Sequence, residues 1–499
     1  MMAQPIAPSG LMLDQLFAGI AIGTVPAIPV ADLTLDSRRV TPGAVFLACA
    51  GHDSHGLDFV ADAIARGASA VAYEPQADES TALALPIPSL RIPSLRPALG
   101  RLARRFFADP SAAIAITGIT GTNGKTTVAW LLANAYRELG MPAGYIGTLG
   151  TGVDLAALST TDLTTPDVIE LTRVLAGFVH DGAEQACIEV SSHALAQGRV
   201  DGLSIDTAVL TNFGRDHLDY HGSEAAYRAA KASLFALPSL QTRVVNSDDT
   251  LGAVLAARYP STWRTSFEPS RRTDERSVTV RQIEQTATGM VAEVWVGGMP
   301  LTLRTPLLGR FNISNLLNAL AVLVACGVDP SDAVAALAGA SAPPGRMQRV
   351  DSRHDIGVVV DFAHTADALR LALETLRPHT DGKLWCVFGA GGDRDRGKRA
   401  PMAYAVGTLA DRVIVTSDNP RSEHPGAIVE ELVAALPATV HAVAQVDRRM
   451  AIFEAIRDAA PGDMVLIAGR GHEQHQRFAN HSIDFHDATV AKAALERHR

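Results

Sequence analysis

The residues Gly121-Thr122-Asn123-Gly124-Lys125-Thr126-Thr127 stand between an apolar run, Ala115 to Thr120, and a helix-forming segment. Glycines let backbone N–H groups turn inward on an anion, Lys125 adds a point charge, and the following helix offers its positive end. That combination suits the phosphates of a nucleoside triphosphate. The loop is a variant of the common phosphate-binding pattern, because the glycine expected five residues before the Gly124-Lys125 pair is Ile119.

Other chemistry-bearing residues gather where apolar runs end. Gln185 to Val190 is followed by Ser191-Ser192-His193, and Ala208 to Phe213 by Gly214-Arg-Asp-His-Leu-Asp219. Later runs end in Gly389-Ala-Gly-Gly-Asp-Arg394, Ser417-Asp-Asn-Pro-Arg421 and Gly469-Arg-Gly-His-Glu473. Near the start, Thr34-Leu-Asp-Ser-Arg38 and Gly51-His-Asp-Ser-His-Gly56 form two more polar clusters. Of the 44 basic residues only five are lysine, so a lysine marks a task unsuited to a guanidinium, which singles out Lys125 and Lys231.

The elements that must position these groups alternate between strand and helix. At 499 residues the chain exceeds one ordinary core. We expect three α/β domains: a small N-terminal one over residues 1–109, a central doubly wound P-loop ATPase-like one over 110–343, and a C-terminal Rossmann-like one over 344–499. In the first, Val45 to Cys49 and Ala70 to Tyr73 read as strands around a helix from Asp58 to Ala65. Within the second, residues 277–308 alternate apolar and polar, which predicts an antiparallel insertion. The third begins after Pro343-Pro344-Gly345 with buried strands at Ile356 to Asp361, Leu384 to Phe388, Arg412 to Thr416 and Met464 to Ala468.

The net charge of -9 gives no basic stripe for nucleic acid or for an anionic membrane. No run is long enough to span a bilayer, and the apolar N-terminal stretch lacks a basic leader segment, since its first cation is Arg38. Cys49, Cys187, Cys326 and Cys386 lie apart in apolar runs, as buried reduced thiols of a cytoplasmic protein would.

Taken together, GTNGKTT at 121–127, EVSSH at 189–193, RDHLDYHG at 215–222, GRFNISN at 309–315, DFAHT at 361–365, GGDRDRGKR at 391–399, DNPR at 418–421 and GRGHE at 469–473 resemble the Mur ligase family from end to end. The resemblance implies ATP- and Mg2+-dependent amide formation between the D-glutamate γ-carboxylate of UDP-N-acetylmuramoyl-L-alanyl-D-glutamate and meso-diaminopimelate, through an acyl phosphate, in cytoplasmic peptidoglycan synthesis. It further implies a monomer acting on small molecules, with no nucleic acid and no membrane insertion.

The resemblance also distributes roles. Residues Gly121, Thr122, Asn123, Gly124, Lys125, Thr126 and Thr127 bind ATP, with Asn312, Arg346 and Asp361 reaching the adenosine half, and Asn315 and His364 beside them. Lys125, Lys231 and His217 are the catalytic set. Thr126, Glu189, His217 and Lys231, the last as a carbamate, are metal groups; an amine can capture CO2 and become an anionic ligand, which arginine cannot. Leu35, Ser37, Gly51, His52, Asp53, Thr164, Thr165, Ser191, Gln197 and Arg199 hold the UDP substrate. Some relatives carry asparagine where Leu163 stands, so one contact to the muramoyl part differs. Arg394, Asp418, Asn419, Pro420, Arg421, Gly469 and Glu473 hold diaminopimelate, whose distal carboxylate suits the two-pronged guanidinium of Arg421. A lysine-adding relative would not need Arg421, and a folylpolyglutamate synthase would not need the TLDSR and EVSSH set; a P-loop kinase is the competitor from another class. Closure about hinges near residues 110 and 343 is expected.

Overall fold

Short apolar runs bounded by glycine and polar residues become parallel strands, because β-branched side chains fit a sheet covered on both faces. A computed structural model describes residues 10–51, 54–76, 84–267, 275–286 and 289–498. The chain forms two compact units, one ending at Arg264 and the other beginning at Thr265.

The first unit opens with four parallel strands in chain order: β1 (Asp32–Thr34), β2 (Ala44–Ala48), β3 (Ala70–Tyr73) and β4 (Ser89–Arg91). The helix Leu95–Phe106 buries Leu95, Leu99, Leu102 and Phe106, spaced to fall along one face. The expected helix at Asp58 instead starts as a 3-10 turn, Gly56–Phe59, and becomes α-helical at Val60. His55 accepts from Leu57 N there, and that tight cap favours the narrower turn.

The second sheet of this unit contains β5 (Ala115–Thr120), β6 (Ala143–Gly147), β7 (Gly150–Gly152), β8 (Gln185–Glu189), β9 (Thr207–Leu210) and β10 (Thr242–Asn246). Their order is β10-β9-β5-β8-β6-β7, and all but β7 are parallel. Strand β5 lies between two strands that come later in the chain, so the loop leaving it sits where the winding direction reverses. Open α/β sheets bind ligands at such a point. Strand β11 (Trp263–Ser266) runs across the boundary of the two units.

In the second unit β12 (Ser277–Thr286), β13 (Gly289–Val296) and β14 (Met299–Thr305) pair antiparallel, as the alternation at 277–308 predicts. The helix Arg310–Ala325 follows, buried along most of its length. Cys326, expected to be buried, is exposed: it lies one residue past this helix, and Gly327, at φ +92, turns the chain away from the core. The other three cysteines are buried as expected.

The last sheet holds β15 (Gln348–Arg349), β16 (Gly357–Asp361), β17 (Leu384–Phe388), β18 (Arg412–Val415), β19 (Ala442–Ala444) and β20 (Met464–Ala468), in the order β15-β16-β20-β17-β18-β19. Only β15 is antiparallel. Cys386, Phe388, Val413, Val415 and Leu466 pack into one apolar layer, and Val387, Ile414, Val465 and Ile467 into the opposite one. The loops leaving β16, β17, β18 and β20 therefore share one rim. A hairpin, β21 (His475–Arg477) with β22 (Ser482–Asp484), follows. Among the described residues no helix is long and apolar enough to cross a membrane.

Candidate active site

The phosphate loop leaves β5 through Gly121, at φ +151, and enters the helix Lys125–Glu138 through Gly124, at φ +85. A Cβ at Gly121 would lie 1.9 Å from Thr211 Oγ1, so no other residue fits. The neighbouring strand end latches the loop: Asn123 N donates to Asn212 Oδ1 at 2.9 Å, and the side chains of Thr211 and Asn212 donate to Asn123 O at 2.5 and 3.0 Å. This is why β9 stops at Leu210, earlier than the apolar run suggests. Lys125 Nζ donates to Gly121 O and Thr122 O, each at 2.9 Å.

Glu189, at the tip of β8, is fully buried and accepts from Thr126 Oγ1 at 2.8 Å. It also accepts from Tyr145 OH at 2.6 Å and from Thr148 N at 2.9 Å. A buried carboxylate is costly without compensation, and no cationic side chain pairs with it among the described residues. Neutral donors surround the carboxyl group, in a place where a divalent cation beside Thr126 would suit it.

Lys231 is 1% exposed and donates to Gly121 O at 2.7 Å, the same carbonyl that Lys125 uses. Its Nζ stands 4.6 Å from the Tyr227 ring, while Tyr227 OH bonds Thr122 Oγ1 at 3.0 Å. Burial, reinforced by the charge of Lys125, pushes the Lys231 ammonium down to about 6, so this amine is mostly neutral at physiological pH.

His217 has φ +50 and lies 3.3 Å from an Asp216 carboxylate oxygen, on a half-exposed turn. Its ring stands 4.7 Å from that of His193, which in turn neighbours Tyr220 and His221. Burial lowers the pKa values of His193 and His221. Among the described residues no three His, Cys, Asp or Glu side chains converge on one point. The expected metal groups Thr126 and Glu189 are in contact, Lys231 lies beneath the loop, and His217 stands on the adjoining turn.

The residues expected to hold the UDP substrate divide in two. Thr165, Ser191, Gln197 and Arg199 form one network: Thr165 Oγ1 donates to Glu189 O, Ser191 N to Thr165 Oγ1, and Arg199 both to Thr165 O and to Gln197 Oε1. Thr164 reaches Thr148, and so the Glu189 cluster. Leu35 and Ser37 lie beyond β1, where Asp36 accepts from Arg38 N and its guanidinium. Gly51 closes a turn with Ser54. His52 and Asp53 lie outside the described residues.

On the rim of the last sheet Asp418, Asn419, Arg421, Glu473 and Gly469 come together. Asn419 Nδ2 donates to Glu473 Oε2 at 2.6 Å, and a Cβ at Gly469 would lie 2.5 Å from Asp418 Oδ2. Arg421 Nη1 donates to Gly392 O at 2.7 Å, and Pro420 fixes the turn before it. Gly391 lies under both arginines, since a Cβ there would stand 3.0 Å from Arg421 Nη1 and 3.7 Å from Arg394 Cγ. The Arg421 guanidinium and the Arg394 stem thus lie against one glycine, with carboxylates on the same rim, a layout for a ligand that is both acid and amine.

Asn312 and Asn315 bond one another at the buried start of their helix. Asp361 accepts from Met347 N and Ala363 N, and burial raises its pKa against those bonds. Arg346 lies over Phe362, beside His364 and His472. Arg346 Nε and His472 Nδ1 are buried with no hydrogen-bond partner among the described residues. Burial takes the His472 imidazole down to about 4.

The sequence reading missed Tyr145, Thr148, Asn212, Tyr227 and His472. Tyr227 had a signal, since it precedes Lys231 by one helical turn and so shares its face. Tyr145 had another, a hydroxyl inside a buried strand that requires a partner.

Comparison with known proteins adds three family matches. "Mur ligase family, catalytic domain" matches residues 29–107, "Mur ligase middle domain" 119–323, and "Mur ligase, glutamate ligase domain" 345–471. A Pseudomonas putida protein named UDP-N-acetylmuramoyl-L-alanyl-D-glutamate--2,6-diaminopimelate ligase is 46% identical over 474 residues, covering 93% of this chain and 95% of its own. A Xanthomonas oryzae pv. oryzae protein of the same name is 44% identical over 486 residues, 97% of each. A solved structure with that name is 32% identical, with a TM-score of 0.71, covering 98% of this chain and 99% of its own. A MurF ligase from Thermotoga maritima in complex with ADP shares the fold at a TM-score of 0.62 and 17% identity.

Proposed function

The chain belongs to the Mur ligase family, and from that premise we propose that it joins meso-2,6-diaminopimelate to UDP-N-acetylmuramoyl-L-alanyl-D-glutamate at the expense of ATP. One observation carries the reading most directly. Lys125 and Lys231 converge on the Gly121 carbonyl beside a buried Thr126–Glu189 pair, at the switch point of the central sheet. ATP phosphates suit that cradle, and the rim bearing Arg394 and Arg421 suits the amino acid. The corresponding domains run over 1–109, 110–343 and 344–499.

In the first step a γ-carboxylate oxygen of the substrate attacks the γ-phosphorus of ATP, and the bond to the bridging oxygen breaks as ADP leaves. The diaminopimelate amine, having lost a proton, then attacks the acyl carbon, and phosphate departs with the bonding pair. Lys125 and the N–H groups at the start of its helix hold the β- and γ-phosphates against the incoming carboxylate. Arg199, through Gln197 and Thr165, orients the dipeptide end. Arg421 and Arg394 take the distal carboxylate, and Asp418, Asn419 and Glu473 the ammonium beside it. Asn312, Arg346 and Asp361 meet the nucleoside.

Thr126, Glu189, His217 and carbamylated Lys231 would hold Mg2+, and Glu189, buried without a cation, fits that charge. Magnesium, when bound, offsets the charge that builds on the transferring phosphoryl group. The enzyme acts as a cytoplasmic monomer. The test is ADP release with each substrate omitted in turn: the reading expects turnover only when both acceptor dipeptide and diaminopimelate are present. Turnover with L-lysine equal to that with diaminopimelate would instead favour the lysine-adding relative.

A further inference from the structure

We propose that Asp393, with Ser422, is a positioning pair that sets the Arg421 guanidinium for the distal carboxylate and so sets selectivity for diaminopimelate. The inference deepens the reading above and rests on it. Two residues on this rim adopt left-handed backbone although neither is glycine: Arg421 at φ +51 and Asp393 at φ +53. Such a backbone costs an L-residue free energy and persists only where its surroundings over-determine it.

Here each loop restrains the other. Ser422 N donates to Asp393 Oδ2 at 3.0 Å and Ser422 Oγ to Asp393 Oδ1 at 2.6 Å, so both carboxylate oxygens hold the residue directly after Arg421. In return, Asp393 N donates to Glu423 Oε1 at 2.8 Å, and Gly392 N to Asn419 O at 2.9 Å. Behind them the buried Arg399 donates to Glu423 at 2.8 Å and to Glu431 at 2.6 Å, which anchors the far end of the interlock in the domain core. Arg421 itself is gripped at both ends, by Arg477 O on its N–H at 3.0 Å and by Gly392 O on its guanidinium at 2.7 Å.

The consequence is geometric. Arg394 follows Asp393 directly, and Arg421 precedes Ser422, so the Asp393–Ser422 bonds fix the separation of the two arginines that flank Gly391. Neither Asp393 nor Ser422 needs to touch the ligand. The Ser422 bonds, followed by the charge of Arg421, hold the Asp393 carboxyl below the usual range, in keeping with an anion whose partners are native contacts.

The test compares wild type with Asp393→Asn, which tolerates left-handed backbone, and with Ser422→Ala. We expect each to raise the diaminopimelate KM about tenfold, as for loss of one hydrogen bond to a charged group, with kcat within about twofold. The KM values of ATP and the UDP-dipeptide should not move, and the preference for diaminopimelate over L-lysine should fall by the same factor. Ser422→Ala removes the Oγ bond and leaves the backbone one, whereas Asp393→Asn weakens both, so the double variant should lose less than the product of the two single effects, because the Oγ bond is shared. A diaminopimelate KM within twofold of wild type in both variants overturns the proposal, as does an equal rise for all three substrates, which would mark general loosening. Wild type without diaminopimelate-dependent turnover would overturn the underlying reading as well, and is seen before any variant is measured.

Discussion

Replacing Lys231 with arginine asks whether the buried amine acts as a nucleophile or only as a cation. The side chain is 1% exposed beneath the phosphate loop, and burial together with Lys125 brings its pKa to about 6. At pH 7.5 an ordinary lysine is almost wholly protonated, whereas this one is mostly neutral, which raises by orders of magnitude the share of the form that can add CO2. Under 13C-labelled CO2 at fixed pressure, the initial rate of label uptake at this residue should therefore climb through pH 6 and level off above about 7. Arginine stays positively charged and forms no carbamate, so Lys231→Arg should take up no label there. Its kcat should fall on the order of 10²- to 10³-fold, the usual loss when one group stabilising transition-state charge is removed. Labelling in the variant equal to wild type, a labelling rate that rises only near pH 10, or a fully active arginine variant would each refute the reasoning.

Other consequences are as direct. Gly391→Ala places a Cβ 3.0 Å from Arg421 Nη1, so the guanidinium must shift; the diaminopimelate KM should rise about tenfold while the ATP KM stays put, measured by steady-state ADP release. Glu189→Gln keeps the shape and one acceptor oxygen for Tyr145 and Thr148 but loses the second carboxylate oxygen beside Thr126, and should cost at least about 10²-fold in kcat while a thermal melt shows a folded protein. His472 is neutral in the folded chain down to about pH 4 but binds a proton below about 6.5 when unfolded, so its contribution to stability falls as pH drops across that interval. Relative to wild type, His472→Gln should gain in melting temperature on acidification from 6.5 to 4, and a constant difference would contradict this.

Much of the architecture is legible in the sequence because the buried strands are continuous apolar runs. Ala70–Tyr73, Leu384–Phe388 and Met464–Ala468 fall where their composition places them, and the alternation at 277–308 becomes three antiparallel strands. What the sequence conceals depends on contacts between distant residues. Thr126 and Glu189 are 63 positions apart, and nothing in either stretch announces Tyr145 and Thr148 as donors to Glu189. The interlock of Asp393 with Ser422 accompanies a left-handed backbone at Arg421 that no composition rule assigns to arginine. Cys326 shows the opposite failure: an apolar neighbourhood suggested burial, but the helix ends one residue before it.

The central claim is that a substrate carboxylate is phosphorylated before the amine arrives. UDP-N-acetylmuramoyl-L-alanyl-D-glutamate carrying 18O in both γ-carboxylate oxygens, turned over with unlabelled ATP and diaminopimelate, tests it by mass analysis of the released phosphate. An acyl phosphate delivers one 18O to each phosphate formed together with amide. Phosphate free of label alongside full amide yield would contradict the account.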